Sequence, residues 1–430
     1  MSFRESYITF KLGDLCEKIG SGVTPRGGDS VYKESGIALI RSQNVHDYRF
    51  ADQGLVYICE EQALKMKNVE VKPNDVLLNI TGDSVARCCI VPEKVIPARV
   101  NQHVAIIRPD ENILNAKYLL YWINNSCNKE LLFSLSSTGA TRKALTKGMI
   151  ENLNISLPNI VEQKSIAATL SCLDDKIELN NRINKNLEEI AQAIFKSWFA
   201  DFEPFQEGEF EDSELGRIPK GWRVTAISEF VEVINGYSYK GSDLKTSRDA
   251  LLTIKNFDRN RGLKLDGFKE LLVTERVKER HYVNEFDVLL ACTDLTQNAE
   301  IIGNSIMLLT KMKYDRIIAS MDLVKIKPLK KHIDSFIIDS ILNDEKFKQY
   351  ALGFTSGTTV LHLNKKAIVT YTIALPEEHK ILIEFSKIIK PIYLEISQNL
   401  NNILALTELR NALLPKLMSG EIRVPIEEVN

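Results

Sequence analysis

"IELNNRINKNLEEI" (residues 177–190) has the composition of a helix, yet it places amides where a helix usually buries leucine. Counted at spacings of three and four, one stripe runs Leu173, Ile177, Asn180, Asn184, Leu187, Ala191, Ile194, Trp198. Both ends are apolar and the middle is polar. The spacing predicts a helix from about Val161 to Phe199, begun after Leu157-Pro158. At about 1.5 Å per residue it is roughly 60 Å long.

That helix has a twin because the chain is written twice. "LGDLCEKI" (12–19) has a counterpart in "ISEFVEVI" (227–234), an offset of 215 (227 − 12). "VKPNDVLLNITGDS" (71–84) is echoed by "VNEFDVLLACTDLT" (283–296), and "HVAIIRP" (103–109) by "DLVKIKP" (322–328). "SSTGATRKAL" (136–145) is echoed by "FTSGTTVLHL" (354–363), and "ISLPNIVEQ" by "IALPEEHK" (373–380). Adding 215 to Leu173 opens a second stripe: Ile388, Ile392, Glu395, Asn399, Asn402, Leu406, Leu409, Leu413. This helix follows Leu375-Pro376 and ends near Met418, with Gly420 as its stop.

Two such helices are expected to pair as a coiled coil, the alternative being two ordinary core helices in a bundle. Amides inside a seam lower stability but fix register, because a slip leaves each facing leucine. Asn180 and Asn184 are expected to meet Asn399 and Asn402, which parallel and antiparallel pairing both permit. Ahead of each helix, short β-branched runs such as "DVLLNI" (75–80) and "DVLLAC" (287–292) read as strands between Gly, Pro and Asn punctuation. The fold class is α+β, with mixed α/β modules at 1–156 and 222–372 and long helices within 157–200 and 373–420. Residues 201–221 read as an acidic linker and 421–430 as a tail.

Composition fits this plan. At 430 residues, 44% hydrophobic and 26% charged, the chain is globular and long enough for several cores. Its seven cysteines form no C-x-x-C pair, which suggests reduced thiols in a cytoplasm. The start, "MSFRESYITFKLGDL", has no apolar signal core, and no run approaches a membrane span. A formal net charge of −2 means that any nucleic-acid binding rests on local patches.

The search for chemistry finds no phosphate loop, no G-x-G-x-x-G after a strand, no H-E-x-x-H and no G-x-S-x-G elbow. "NDEK" (343–346) has the carboxylate-x-lysine end of a nuclease site but no upstream partner, and reads as a solvated helix face. Catalytic and metal residues are therefore expected to be none. The polar residues that stand out lie at strand ends. They are Arg41, Ser42, Asn44, Thr81, Asp83, Asn101, Gln102, Thr141, Arg142 and Lys143 in the first half. In the second they are Lys255, Asn256, Thr293, Asp294, Gln297, Ser320 and the run from Thr355 through Thr358 to Thr359. Arg, Lys, Asn and Gln can read base edges, while Ser, Thr and Gly-rich backbone suit phosphates. Recurrence in equivalent loops is what singles these out, since a lone loop Asn is ordinarily a turn former.

"LPNIVEQKSIAATLSCLDDKIELNNRINKNLEEIAQAIFKSWFADFEP" resembles the central conserved region of the specificity subunits of type I restriction–modification enzymes. "LPEEHK…ALTELRNALLPKLMSGEI" resembles their C-terminal one, and the duplicated plan and "IPKGW" entry to the second half fit too. The resemblance implies two target recognition domains, each reading one half of a bipartite asymmetric site on double-stranded DNA. It implies antiparallel helices that space them over grooves about one turn, ~34 Å, apart. Two methyltransferase subunits would dock on the helices, and motor–nuclease subunits would join through that assembly. The chain itself would hold no cofactor; S-adenosylmethionine and base flipping would belong to the methyltransferase. A coiled-coil scaffold whose modules bind protein is the alternative, supported by the near-neutral charge.

Overall fold

The computed structural model describes residues 7–137, 143–259, 261–296 and 298–424. It forms two compact units, Met1–Ile177 with Ala405–Asn430, and Glu178–Leu404. In the first, Cys16–Ser21, Val104–Pro109, Val76–Asn79 and Cys88–Ile90 make an antiparallel sheet in that order. A second sheet runs Val56–Ile58, Ile37–Ile40, Ala98–Val100, Glu70–Val71, with its two middle strands parallel. Ile8–Lys11 pairs with Asn154–Leu157, so the module's two ends leave side by side.

The other unit repeats this strand for strand. Val231–Asn235, Leu323–Pro328, Val288–Ala291 and Ser305–Met307 form the antiparallel sheet. Lys269–Glu270, Asp249–Leu252, Arg316–Ala319 and Tyr282–Val283 form the mixed one, again parallel at its centre. Trp222–Ala226 pairs with Thr372–Pro376. Local devices recur as well. Before the central strand, Asn74 and Phe286 both take positive φ, 65° and 69°. The next residue ties that turn to a neighbouring strand. Asp75 accepts from Lys72 N at 2.7 Å and pairs with Arg108 at 2.7 Å; Asp287 accepts from Asn284 N at 2.9 Å and pairs with Lys325 at 3.4 Å. At Gly22 a Cβ would stand 2.1 Å from Val100 O, and at Gly236 2.0 Å from Ser320 O. Only glycine permits that crossing.

The two long helices, Ile160–Phe199 and His379–Met418, have 40 residues each. Asn159 caps the first, its Oδ1 accepting from Glu162 N at 2.9 Å, and Gly420 follows the second at φ 73°. Neither helix is confined to one unit. In the first unit Ile166, Ala167 and Leu170 share a core with Leu414, Leu417 and Met418, and Asp174 pairs with Arg410 at 2.6 Å. In the second, Ala191, Phe195 and Phe199 share one with Leu382, Phe385, Ile389 and Ile396. Phe199 meets Phe385 edge-on at 4.8 Å, the geometry that aromatic quadrupoles favour. Numbers rise along one helix as they fall along the other in both units, so the helices run antiparallel. No helix among the described residues is long and apolar enough to cross a membrane.

The helices fix the offset of the duplication at 219 (379 − 160 and 418 − 199), not 215. Insertions inside the modules account for nearly all of the difference: Ile155 and Ile373, on the strands just before the helices, already stand 218 apart (373 − 155). With the true offset Leu173, Ile177, Asn180, Asn184, Leu187 and Ile194 correspond to Ile392, Ile396, Asn399, Ile403, Leu406 and Leu413. All twelve are buried or half-buried. Ile388 and Leu409, by contrast, are 42% and 47% exposed, and Asn402 also faces out. Those three are corrections to the seam: a count begun four residues early drifts off the inward face.

At the middle of the seam Asn399 Nδ2 donates to Asn184 Oδ1 at 3.0 Å, with both residues buried. The duplication maps this contact onto Ile403 against Asn180, which has no second amide. Asn180 is 1% exposed and its Nδ2 has no partner. A further exchange lies beside it. Tyr121 of the first module donates to Asp174 of the central helix at 2.5 Å; in the second unit the helix supplies the phenol, Tyr393, and the module the acid, Asp339, at 2.6 Å. Burial pushes the Asp339 carboxyl up to about 6.

Two outcomes are expected. Asn180→Leu should stabilise the chain by about 1 kcal/mol, since it removes an unsatisfied buried donor, and should exceed Asn184→Leu, which also removes an orphaned Nδ2 but strands Asn399; urea midpoints rank the two. Asp339 is raised on folding, so its favourable contribution is full below about pH 4 and is lost as pH rises through about 6. Asp339→Asn should flatten the fall in urea midpoint over that window; an unchanged slope would refute the assignment.

Candidate nucleic-acid interface

Three loops of the first unit are sewn into one surface by backbone bonds. Ile80 N donates to His103 O at 3.0 Å, Leu145 N to Ile80 O at 2.8 Å and Gly82 N to Lys143 O at 3.1 Å. Asn79 Nδ2 brings in the fourth loop through Ser42 O at 2.8 Å. On this base the Thr81 hydroxyl lies 2.6 Å from His103 Nδ1, and Gln102 Nε2 2.9 Å from His103 Nε2. An imidazole protonated at Nδ1 satisfies both, donating to Thr81 and accepting from Gln102. Asp83, Gln102 and Lys143 are exposed; Ser42 and Thr81 are half-buried. Arg41 lies 5.3 Å over the Tyr32 ring and donates to Gly54 O at 2.6 Å, which holds its guanidinium in place. Nearby, burial and the Arg49 and Arg87 guanidiniums push the His46 imidazole below its ordinary range.

The second unit builds the same base. Cys292 N donates to Asp322 O at 2.8 Å and Leu363 N to Cys292 O at 2.9 Å, and Thr293–Asp294 pairs with Leu361–Leu363. Lys255 and Thr358 are exposed, with Thr355 and Thr293 half-buried. Lys348 is drawn inward to bind Ala299 O at 3.1 Å and Asn304 Oδ1 at 2.8 Å, and burial lowers its ammonium to about 8.

Residues 5–189 match the type I restriction modification DNA specificity domain. Over 433 aligned residues the chain is 27% identical to the type I restriction enzyme MjaIX specificity subunit of Methanocaldococcus jannaschii, covering 96% of this chain and 93% of that one. It is 23% identical to the HindI specificity subunit of Haemophilus influenzae, covering 82% and 87%. In fold it is similar to the crystal structure of the type I restriction–modification S subunit from M. genitalium, with TM-score 0.55, 13% identity and 96% of each chain covered. Over nearly its whole length the chain is similar to type I restriction specificity subunits, and its first 189 residues carry the match to their DNA specificity domain.

Within this chain several residues singled out from sequence are committed to the fold. Asn44 is fully buried; its Oδ1 accepts from Arg41 N at 3.0 Å and its Nδ2 donates to Ala51 O at 2.9 Å. Asn256 repeats this, accepting from Thr253 N at 2.9 Å and donating to Lys264 O at 3.0 Å. Asp294, also fully buried, accepts from Thr296 N at 2.7 Å and Ile301 N at 2.6 Å. Burial opposes its charge, but these donors outweigh it and hold the carboxyl below its ordinary range. Ser320 is fully buried, and Asn101, 8% exposed, accepts from His103 N at 3.1 Å. These five are corrections: they shape loops and present nothing to a ligand. Thr141, Arg142 and Gln297 lie outside the described residues.

Arg49 and Arg87 are not among the residues that recurrence singles out; Arg87 corresponds to Asn304, since Cys88 pairs with Leu78 as Ser305 pairs with Leu290. Recurrence selected loop architecture, and these residues were invisible to it. Asn44→Ala and Asn256→Ala should each lower stability by about 1–3 kcal/mol, as buried backbone partners lose their mates. Differential scanning calorimetry checks this; a loss of DNA affinity with unaltered melting would mean that these amides read bases after all.

Proposed function

We propose that this specificity subunit reads a bipartite, asymmetric site on double-stranded DNA, one half-site per module. The observation that carries this is twofold: one strand order used twice, and different exposed side chains on the equivalent loops. One scaffold can thus hold two unlike reading surfaces. In the first module, Gln102, Asp83 and Lys143 have the donors and acceptors to meet base edges, and Arg49 and Arg87 the charge to meet phosphates.

The antiparallel helices would set the separation of the half-sites, their register held by the Asn184–Asn399 bond. Their outer faces would dock two methyltransferase subunits, through which motor–nuclease subunits join. The specificity subunit then performs no chemistry and holds no cofactor. S-adenosylmethionine and the flipped adenine would sit on the methyltransferase, in the cytoplasm.

Replacing residues 1–156 with the same module of another specificity subunit should change one half-site of the methylated sequence and leave the other and the spacer intact. Modified-base sequencing of a host expressing the hybrid with its methyltransferase reads this out. Simultaneous change of both halves would overturn the assignment.

A further inference from the structure

The backbone bonds that build the two loop clusters pair their residues one to one. Ile80 N on His103 O corresponds to Cys292 N on Asp322 O, and Leu145 N on Ile80 O to Leu363 N on Cys292 O. Gln102, just before His103, therefore occupies the place of Met321, just before Asp322. Asp83, three residues after Ile80, occupies that of Leu295, and Lys143, two before Leu145, that of Leu361. At all three places the first module carries a polar or charged side chain and the second an apolar one.

These apolar residues are not hidden. Leu295 is 66% exposed and Met321 54%, while Leu361 is half-buried. Each of the two exposed side chains stands beside a fully buried polar neighbour, Asp294 and Ser320 respectively, so the loops are anchored and only their tips are apolar. Exposed leucine and methionine on rigid tips offer no hydrogen bond. They gain free energy only by covering another apolar surface.

We infer that the second module reads its half-site through apolar contact with pyrimidine C5-methyl groups, at the places where the first module uses hydrogen bonds. This rests on the reading of the modules as DNA-recognition domains. In the major groove the C5-methyl of thymine is the apolar group that a base edge presents, and 5-methylcytosine carries the same group. Leu295 and Met321 are the contacting residues, and Leu361 backs them.

The test uses the full chain in complex with its methyltransferase subunits and the site mapped by modified-base sequencing. Synthetic duplexes replace each thymine of the second half-site by deoxyuridine in turn, and each cytosine by 5-methylcytosine. Covering one methyl corresponds to about fourfold in affinity. Deoxyuridine should weaken binding by about that factor at one or two positions of the second half-site and have no effect in the first. If the recognised methyl belongs instead to a modified cytosine, 5-methylcytosine should strengthen binding at one position by a similar factor. The variant Leu295→Asp with Met321→Gln, which copies the first module, should abolish that sensitivity and leave the first half-site as it was. Sequence-specific binding that ignores the methyl at every position would overturn this inference alone. Absence of any sequence-specific binding by the complex would overturn the DNA reading itself.

Discussion

A single amide–amide hydrogen bond lies buried where two 40-residue helices pack together in the second unit, and it constrains which of their residues can face each other. Its net worth is small, about 1 kcal/mol, but the arrangement it enforces is worth much more. Any slip of the helices strands Asn184 and Asn399 against apolar neighbours, at a cost of roughly 1–3 kcal/mol for each orphaned group. The same slip disturbs the packing of Phe195 and Phe199 with Phe385 in that unit. In the second unit the amide pair and the hydrophobic core are carried by the same two helix segments. Specificity of pairing comes from the polar pair and adhesion from the apolar ones.

Much of this was visible in the sequence, for physical reasons that differ from place to place. The strands around Val76–Asn79 and Val288–Ala291 are β-branched and leucine-rich runs ended by turn residues, so they read directly. The long helices read through their 3.6-residue stripes. Their exact inward faces did not, because the offset between the halves drifts with each insertion. An offset taken from Leu12 and Ile227 therefore misplaced Ile388 and Leu409 onto the seam. Antiparallel direction was equally hidden: polar positions near a midpoint meet either way, and only the cores around Leu170 and Phe199 decide.

The interface shows the opposite limit. Asn44 and Asn256 recur because both loops need the same internal brace, and Asp294 is buried because it braces its own loop. What repeats between duplicated modules is what the shared scaffold needs. What differs, as at Gln102 and Met321, is available to discriminate between ligands. Local charge follows the same division. The chain is nearly neutral overall, yet Arg49 and Arg87 stand near His46, whose imidazole is held below its ordinary range by burial and then by their charge.

The backbone crossings at Gly22 and Gly236 bear on how such a protein evolves. There the chain touches itself so closely that loop geometry is dictated by main-chain atoms and one hydrogen at each glycine. Loop-tip side chains contribute little to holding that geometry. Substitutions at the tips can therefore accumulate without unfolding the module, so that new preferences arise by single mutations while the architecture that displays them is inherited unaltered.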